Sequence, residues 1–240
     1  MGADREAVGY AVLLPNGWRR IPLRSGTKAA IRSIVDDALA RLARNVSRDK
    51  LTPYRIEFER RLTEMARKAR GNGGVDLYLP VEYRNGTPVP ASFIVSLGMI
   101  GVPAGEGMSG PSGFADTAGI LSYLASEGDG ASSVIVGGTP GTRREHVEAP
   151  VPGQEFQVRS RRVDYILPLP GQRDRWLIVA FSTPGDGDPD GDFAKLLVAL
   201  FDAIISTFTW TSEADMDAPG TQVPDLRAGA EAPTRQGNGR

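Results

Sequence analysis

Trp176-Leu-Ile-Val-Ala-Phe181 is followed, after a Gly/Asp/Pro loop at 184–192, by Phe193-Ala-Lys-Leu-Leu-Val-Ala-Leu-Phe-Asp-Ala-Ile-Ile-Ser-Thr-Phe208, and these two stretches decide the fold. The first is apolar at consecutive positions, so it reads as a strand buried on both faces, and therefore central. The second repeats Leu196, Leu197, Leu200, Ile204, Ile205 and Phe208 at helical spacing, with Asp192 placed to cap it. A helix with such a stripe must lay it on something apolar, and the nearest candidate is the sheet that holds Trp176 to Phe181. The expectation is a final helix docked on a central strand.

Working outward, the chain offers hairpins rather than strand–helix–strand crossovers. Val8 to Leu14 and Trp18 to Leu23 flank Pro15-Asn16-Gly17, a turn signal, and read as one hairpin. Val75 to Tyr83 and Val89 to Leu97 flank Asn85-Gly86 and read as a second. In it Val75, Leu77, Leu79, Val81 and Tyr83 share one strand face, leaving Asp76 and Glu82 on the other. Between the hairpins, Ile31 to Val46 shows helical periodicity after Ser25-Gly26-Thr27. A second helix starts at Thr52-Pro53, presents Phe58, Leu62, Met65, Ala66 and Ala69, and ends at Gly71-Asn72-Gly73. A short helix is expected within 113–126, and strands at 131–137, 142–149 and 155–169. Many hairpins and few crossovers argue for an α+β domain over residues 1–210, an antiparallel β-sheet covered by helices. Residues 211–240 are rich in Ala, Pro, Gly and acidic side chains and are expected to form a disordered tail.

Composition excludes several kinds of chemistry. The chain of 240 residues has no cysteine, which removes disulfides, thiolate metal sites and a thiol nucleophile. The Met1-Gly2-Ala3-Asp4 start lacks the basic and apolar regions of a signal peptide, and the apolar stretch 193–210 contains Lys195 and Asp202. A soluble, cytoplasmic protein with no membrane span is expected. The first 73 residues hold about twice as many basic as acidic side chains. Arg41, Arg44, Arg60, Arg61, Arg67 and Lys68 are interleaved with acids at helical spacing, which reads as a solvated face and not as a nucleic-acid surface.

The search for a reactive constellation returns little. His146 is the one histidine and lies in a polar strand, with no serine in a strand–turn–helix elbow; Gly107-Met108-Ser109-Gly110 lacks that motif's last glycine. Asp186, Asp188 and Asp190 with Gly191 imitate the start of a calcium loop. The twelfth position, where a bidentate carboxylate belongs, is Leu197. Gly137-Gly138 lacks the lysine of a phosphate-binding loop and reads as a turn. No catalytic residue, metal site or cofactor is expected. The Gly/Pro/Met-rich segment 98–112 and the start of the next helix offer Met99, Ile100, Met108 and Phe114 as an interaction or ligand loop.

Val163 to Gly171, Trp176 to Thr183 and Phe201 to Trp210, with Gly17 to Leu23 near the start, resemble a family of uncharacterised actinobacterial proteins. The pattern of hairpins and a final helix also resembles the Mog1/PsbP-like superfamily. That resemblance implies an antiparallel sheet sandwiched by helices, and a binding or assembly module without catalytic residues. Some of the actinobacterial relatives accompany type VII secretion proteins, so a secretion-associated accessory factor or chaperone, with a protein partner, is the function it implies. Two other readings stand beside it: a small apolar-ligand carrier, with a cavity reached through Met99, Ile100 and Met108, and an atypical hydrolase built on His146.

Overall fold

The computed structural model describes residues 7, 9–42, 48–82, 89–99, 117–126, 130–150, 158–172, 175–212 and 226. Its elements in chain order are β1 (Gly9–Ala11), β2 (Trp18–Pro22), α1 (Thr27–Leu42), α2 (Arg48–Gly71), β3 (Gly74–Pro80), β4 (Ser92–Gly98) and α3 (Thr117–Ser126). There follow β5 (Ala131–Val136), β6 (Thr139–Glu148), β7 (Ser160–Pro168), β8 (Trp176–Thr183), α4 (Asp192–Ser206) and β9 (Thr209–Thr211). Seven strands form one antiparallel sheet in the order β2-β3-β4-β8-β7-β6-β5. Strand β8 is in its middle, as a strand apolar on both faces must be.

Alternation along β8 divides the packing. Leu177, Val179 and Phe181 join Phe93 and Val95 of β4 and Val163, Tyr165 and Leu167 of β7 on one face. Helix α4 covers that face with Leu197, Val198, Phe201, Ile204 and Ile205. The opposite face carries α1 over β2, α2 over β3, and α3 over β5 and β6. The α1–α2 pair encloses Ile31, Ile34, Val35, Leu62 and Ala66 against Ile21 and Leu77. Helix α3 encloses Ile120, Leu124, Ile166 and Trp176. The result is the α+β architecture expected from the hairpin pattern, with helices on both faces of the sheet.

Several local expectations are corrected. β1 and β2 do not pair with each other. β1 pairs with β9, Tyr10 opposite Trp210, while β2 pairs with β3. The chain between them turns sharply, with Trp18 N–H donating to Pro15 C=O and Gly17 at a φ of 88° that other residues rarely adopt. Tyr10 is thereby freed to stack on Phe208 at 5.6 Å, beyond the end of α4. Helix α2 begins at Arg48, so Pro53 lies inside its N-terminal part rather than at its first position. Helix α4 begins at Asp192 itself; Gly191 is its N-cap, and no side chain caps it. Its stripe is also rotated from the sequence reading: Phe201 is buried, and Leu196 is 63% exposed. Both β3 faces are covered, which puts Asp76 and Tyr78 in the α4-side core instead of on a polar face.

Most of segment 211–240 lies outside the described residues. Thr211 ends β9, and Leu226 is fully buried in the α4-side core, where its carbonyl accepts from Arg175 Nη2 at 3.4 Å.

Phe201 stacks on Phe181 with centroids 4.7 Å apart and meets Phe93 at 5.5 Å and Tyr165 edge-on at 5.8 Å. Truncating it empties a site walled by three central strands. Phe201→Ala is expected to lower unfolding free energy by about 3–5 kcal/mol in urea melts. Leu196→Ala, on the solvent side of the same helix, should change it by no more than about 0.5 kcal/mol.

Candidate functional site

The charged groups that the fold gathers are paired with one another. On the α4 side of β2 and β3, Asp76 is fully buried. Its carboxylate accepts from Tyr10 Oη at 2.6 Å and from Arg20 Nε at 2.6 Å. Tyr10 Oη is 3.0 Å from Tyr78 Oη, and since the Tyr10 proton is committed to Asp76, the Tyr78 phenol donates to Tyr10. Burial pushes the Tyr10 hydroxyl well above the ordinary phenol range, with the neighbouring Asp76 charge adding to it, and burial likewise raises Tyr78. Both phenols stay protonated and act as donors. Sequence reading missed this cluster, although period-2 alternation places Arg20 opposite Tyr78 and puts Asp76 on the same β3 face. The missing signal was the second covered face of β3.

A second network fastens α4 to the far half of the sheet. Arg143 of β6 grips Asp202 of α4 with Nε at 3.1 Å and Nη2 at 2.8 Å, and Nη2 also donates to Glu145 at 2.8 Å. Tyr165 Oη donates to the same Asp202 at 2.9 Å. Arg161 of β7 donates to Glu145 at 2.8 Å and reaches Asp190 at 3.2 Å and the Pro189 carbonyl at 3.1 Å. The Asp-rich loop is therefore engaged with arginines. Asp188 accepts from the Asp190 amide at 2.9 Å, closing the loop on itself. Among the described residues no group of three acidic or histidine side chains is gathered as a metal would require.

His146 is exposed on β6 opposite Arg162, and no described serine or carboxylate hydrogen-bonds to it. Gly137 and Gly138 form the two-residue turn of the β5–β6 hairpin at φ 56° and 77°. On α2, Arg60 and Arg61 converge on Glu57 and hold its carboxyl down at about 2, and Arg55 bridges to Asp36 of α1. Those arginines of the basic N-terminal third are thus neutralised locally, as a solvated helix face would be.

Among the described residues a half-buried strip of sheet, the trough, remains between α2 and α3. On the face opposite α4, β4 and β8 contribute Ser92 beside Ser182, Ile94 beside Ala180 and Ser96 beside Ile178, all half-buried. Helix α2 runs over β3 and α3 over β5 and β6; Ile94 packs against the margin of the α1–α2 core, and the other paired positions lie on the strands between those two sets of helices. Helix α2 forms one wall. Residues advance about 100° per position around a helix. Leu51, Leu62 and Ala69 mark the buried line of α2, and Arg55, which bridges to α1, marks the α1 side. Tyr54 and Met65 therefore flank the buried line on the side away from α1, toward β4. They are 68% and 42% exposed. The other margin is charged: Arg162 of β7, beside Ser182, donates to Asp164 at 2.9 Å and to Glu148 at 3.4 Å.

Of the residues that sequence reading singled out, Met99 directly follows β4, at the end of this floor, and is 80% exposed. Ile100, Met108 and Phe114 lie outside the described residues. Met65 was read as part of the buried α2 face; it belongs to its exposed flank. Tyr54 falls on the same period, four residues before Phe58 and eight before Leu62, but the sequence reading starts the helix only at Thr52-Pro53 and its stripe at Phe58.

Beneath α3, two polar atoms are fully buried without a partner: Trp176 Nε1 and Thr142 Oγ1. Both residues point to the α3 face near Ile166, which pairs with Thr142 directly, while Trp176 pairs with Pro168, two positions further along.

Neither a family model nor a curated protein matches this chain. A solved structure with some likeness is that of LpqN, involved in cell envelope biogenesis of Mycobacterium tuberculosis. It shares 12% identity at a TM-score of 0.41, over 87% of each chain. That degree of likeness fixes neither family nor function. No described helix is long and apolar enough to cross a membrane.

Two stability outcomes follow from the networks. Tyr10→Phe leaves a buried carboxylate short of one donor and should cost about 1–3 kcal/mol in a urea melt. Burial alone would raise Glu145, but the hydrogen bonds from Arg143 and Arg161 outweigh it and hold the carboxyl below its ordinary value. A depressed carboxyl stabilises the fold above its unfolded-state value of about 4.5, and that contribution is lost as pH falls through the lower folded value. Between pH 7 and 3, Glu145→Gln should therefore show a shallower loss of stability than the unsubstituted protein. Equal slopes would mean that Glu145 contributes nothing to acid sensitivity.

Proposed function

We propose that this protein is a non-enzymatic interaction or assembly module that receives another protein in the trough between α2 and α3. The finer reading is an accessory factor or chaperone for a secretion system of the type VII kind. The observation that carries the proposal is the exposure of Tyr54 and Met65 on the flank of α2 away from α1, together with the half-buried serines and alanine of β4 and β8. A tyrosine and a methionine held at the surface beside half-buried Ile94 and Ile178 supply apolar contact area, and Arg162 with Glu148 supplies a polar rim. Met99 extends the apolar margin at one end. Ion pairs and hydrogen bonds account for the gathered carboxylates and arginines, so the reading asks for no reactive group.

Photo-crosslinking amino acids placed at Tyr54, Met65 and Met99 in the native host test it. One protein should be captured from all three sites and not from Ile56, which is exposed on another side of α2. With that partner purified, Tyr54→Ala combined with Met65→Ala should weaken binding by about tenfold or more while leaving the melting transition in place. Equal capture from Ile56, or unchanged affinity of the double variant, would refute the trough as the binding surface.

The two unpartnered polar atoms under α3 favour a second reading, a carrier of a small apolar molecule. A carbonyl or hydroxyl on such a molecule would satisfy Trp176 Nε1 and Thr142 Oγ1 while its apolar part lay against Ile120, Leu124 and Ile166. Native mass spectrometry of protein purified without detergent distinguishes the two: a discrete added mass, abolished in Trp176→Phe, supports the carrier, and the bare chain alone counts against it.

A further inference from the structure

The two edges of the large sheet are built differently. β2, at one edge, reads Trp-Arg-Arg-Ile-Pro, and its two arginines and its proline hinder pairing with another strand. β5, at the other edge, reads Ala-Ser-Ser-Val-Ile-Val, with no charge and no proline. Among the described residues no strand pairs with its outer side, and Ser132 and Ser133 are exposed and Ile135 is 78% exposed. An isoleucine at that exposure on an uncharged edge strand is the arrangement that sheets ordinarily avoid.

The backbone fixes what β5 can accept. Its two-residue turn makes Val136 and Thr139 the closing hydrogen-bonded pair, and pairs then alternate through Val134–Gly141 and Ser132–Arg143. The Glu145 amide donating to the Gly130 carbonyl at 3.0 Å continues the same alternation. The amide and carbonyl groups of Ala131, Ser133 and Ile135 therefore face outward from the sheet.

We infer that β5 is a dimerisation edge, and that its occupant is β5 of a second copy of this chain, antiparallel about a two-fold axis at Ser133. In that register Ser133 faces its own symmetry mate and Ile135 faces Ala131, so the large exposed side chain lies over a small one. The outward backbone groups of the three residues in each chain pair fully. On the α4 side of the sheet, Val134 faces Ser132. Because β5 is neutral, the pairing sets no like charges opposite each other, which the arginine-bearing β2 edge cannot offer. The sheet then runs unbroken across the dimer, and both troughs remain open.

Ser133 is the diagnostic position, since the two-fold sets it against itself. Sedimentation velocity at about 100 µM, where a contact with a Kd near 10 µM is mostly formed, should give a dimer for the unsubstituted chain. Ser133→Lys alone and Ser133→Glu alone should each fall from mostly dimer to about half monomer or more, their dissociation constants raised by about tenfold or more by like charges placed directly opposite. An equimolar mixture of the two should recover a dimer, through the Lys–Glu pair. Ser133 is exposed, so circular dichroism should show both variants folded. A monomeric unsubstituted chain overturns the inference, and so does a dimer fraction that either single substitution leaves unchanged. A mixture no more dimeric than either variant alone overturns the Ser133-centred register.

Discussion

Phe201 is the contact on which the layering depends. Its ring reaches Phe93 on β4, Phe181 on β8 and Tyr165 on β7, so one side chain of α4 ties three adjacent central strands. The strands it ties are far apart in sequence, with β4 separated from β7 by a helix and a hairpin. Burial of a large aromatic ring is among the largest single apolar gains available to a core. The rest of α4 follows from that anchor. Ile204 and Ile205 continue the buried line, and Phe208 past the helix end stacks on Tyr10. That stack brings β1 to β9 and sets Tyr10 in reach of Asp76.

The polar networks read as consequences of the same docking. Once α4 lies across β7 and β6, Asp202 is left beside the sheet and needs partners. Arg143 and Tyr165 provide them, and Arg161 ties the preceding loop to Glu145. A similar logic applies at the other end, where covering β3 on both sides buries Asp76 and obliges Arg20 and Tyr10 to satisfy it. These are ion pairs that make the packing tolerable and orient it. Replacing them with apolar groups of the same shape is the change that would reveal how much they add.

The parts of this fold legible in the sequence are those whose signal is a period along one segment. The central place of β8, the α4 stripe, the α1–α2 pair and the β3–β4 hairpin all follow from alternation or helical spacing within a single stretch. What escaped depends on a partner remote in sequence. β1 looked like half of a hairpin because Pro15-Asn16-Gly17 is a turn, but turn chemistry says nothing of which strand Tyr10 will meet. Asp76 looked like a surface acid because a strand with one apolar face has a polar one, unless a residue from a remote pairing, here Tyr10 held by the β1–β9 pair, covers it. Leu196 was assigned to the core and Val198 and Phe201 were not, since in a helix apolar nearly all round the sheet decides which side is inside. At the candidate site, Met99 was legible as an exposed apolar residue in a loop, whereas Tyr54 and Met65 became visible only when Arg55 showed which side of α2 faces α1.

The helices are distributed unequally, and this gives the surface its character. One long apolar helix covers the middle of one sheet face. On the other face, three helices are divided between the two ends, α1 and α2 over β2 and β3, and α3 over β5 and β6. The centre of that face is floored by serines and an alanine, with two isoleucines half-buried among them. A floor meant for a covering helix would carry large apolar residues at those positions, as the α4 side does with Phe93, Val95, Val179 and Phe181. Small and hydroxyl-bearing side chains there tolerate water and leave depth for an incoming group. Among the described residues the same strands thus carry two surfaces of opposite design, one covered along its centre by α4 and one that is half-buried and mixed in polarity.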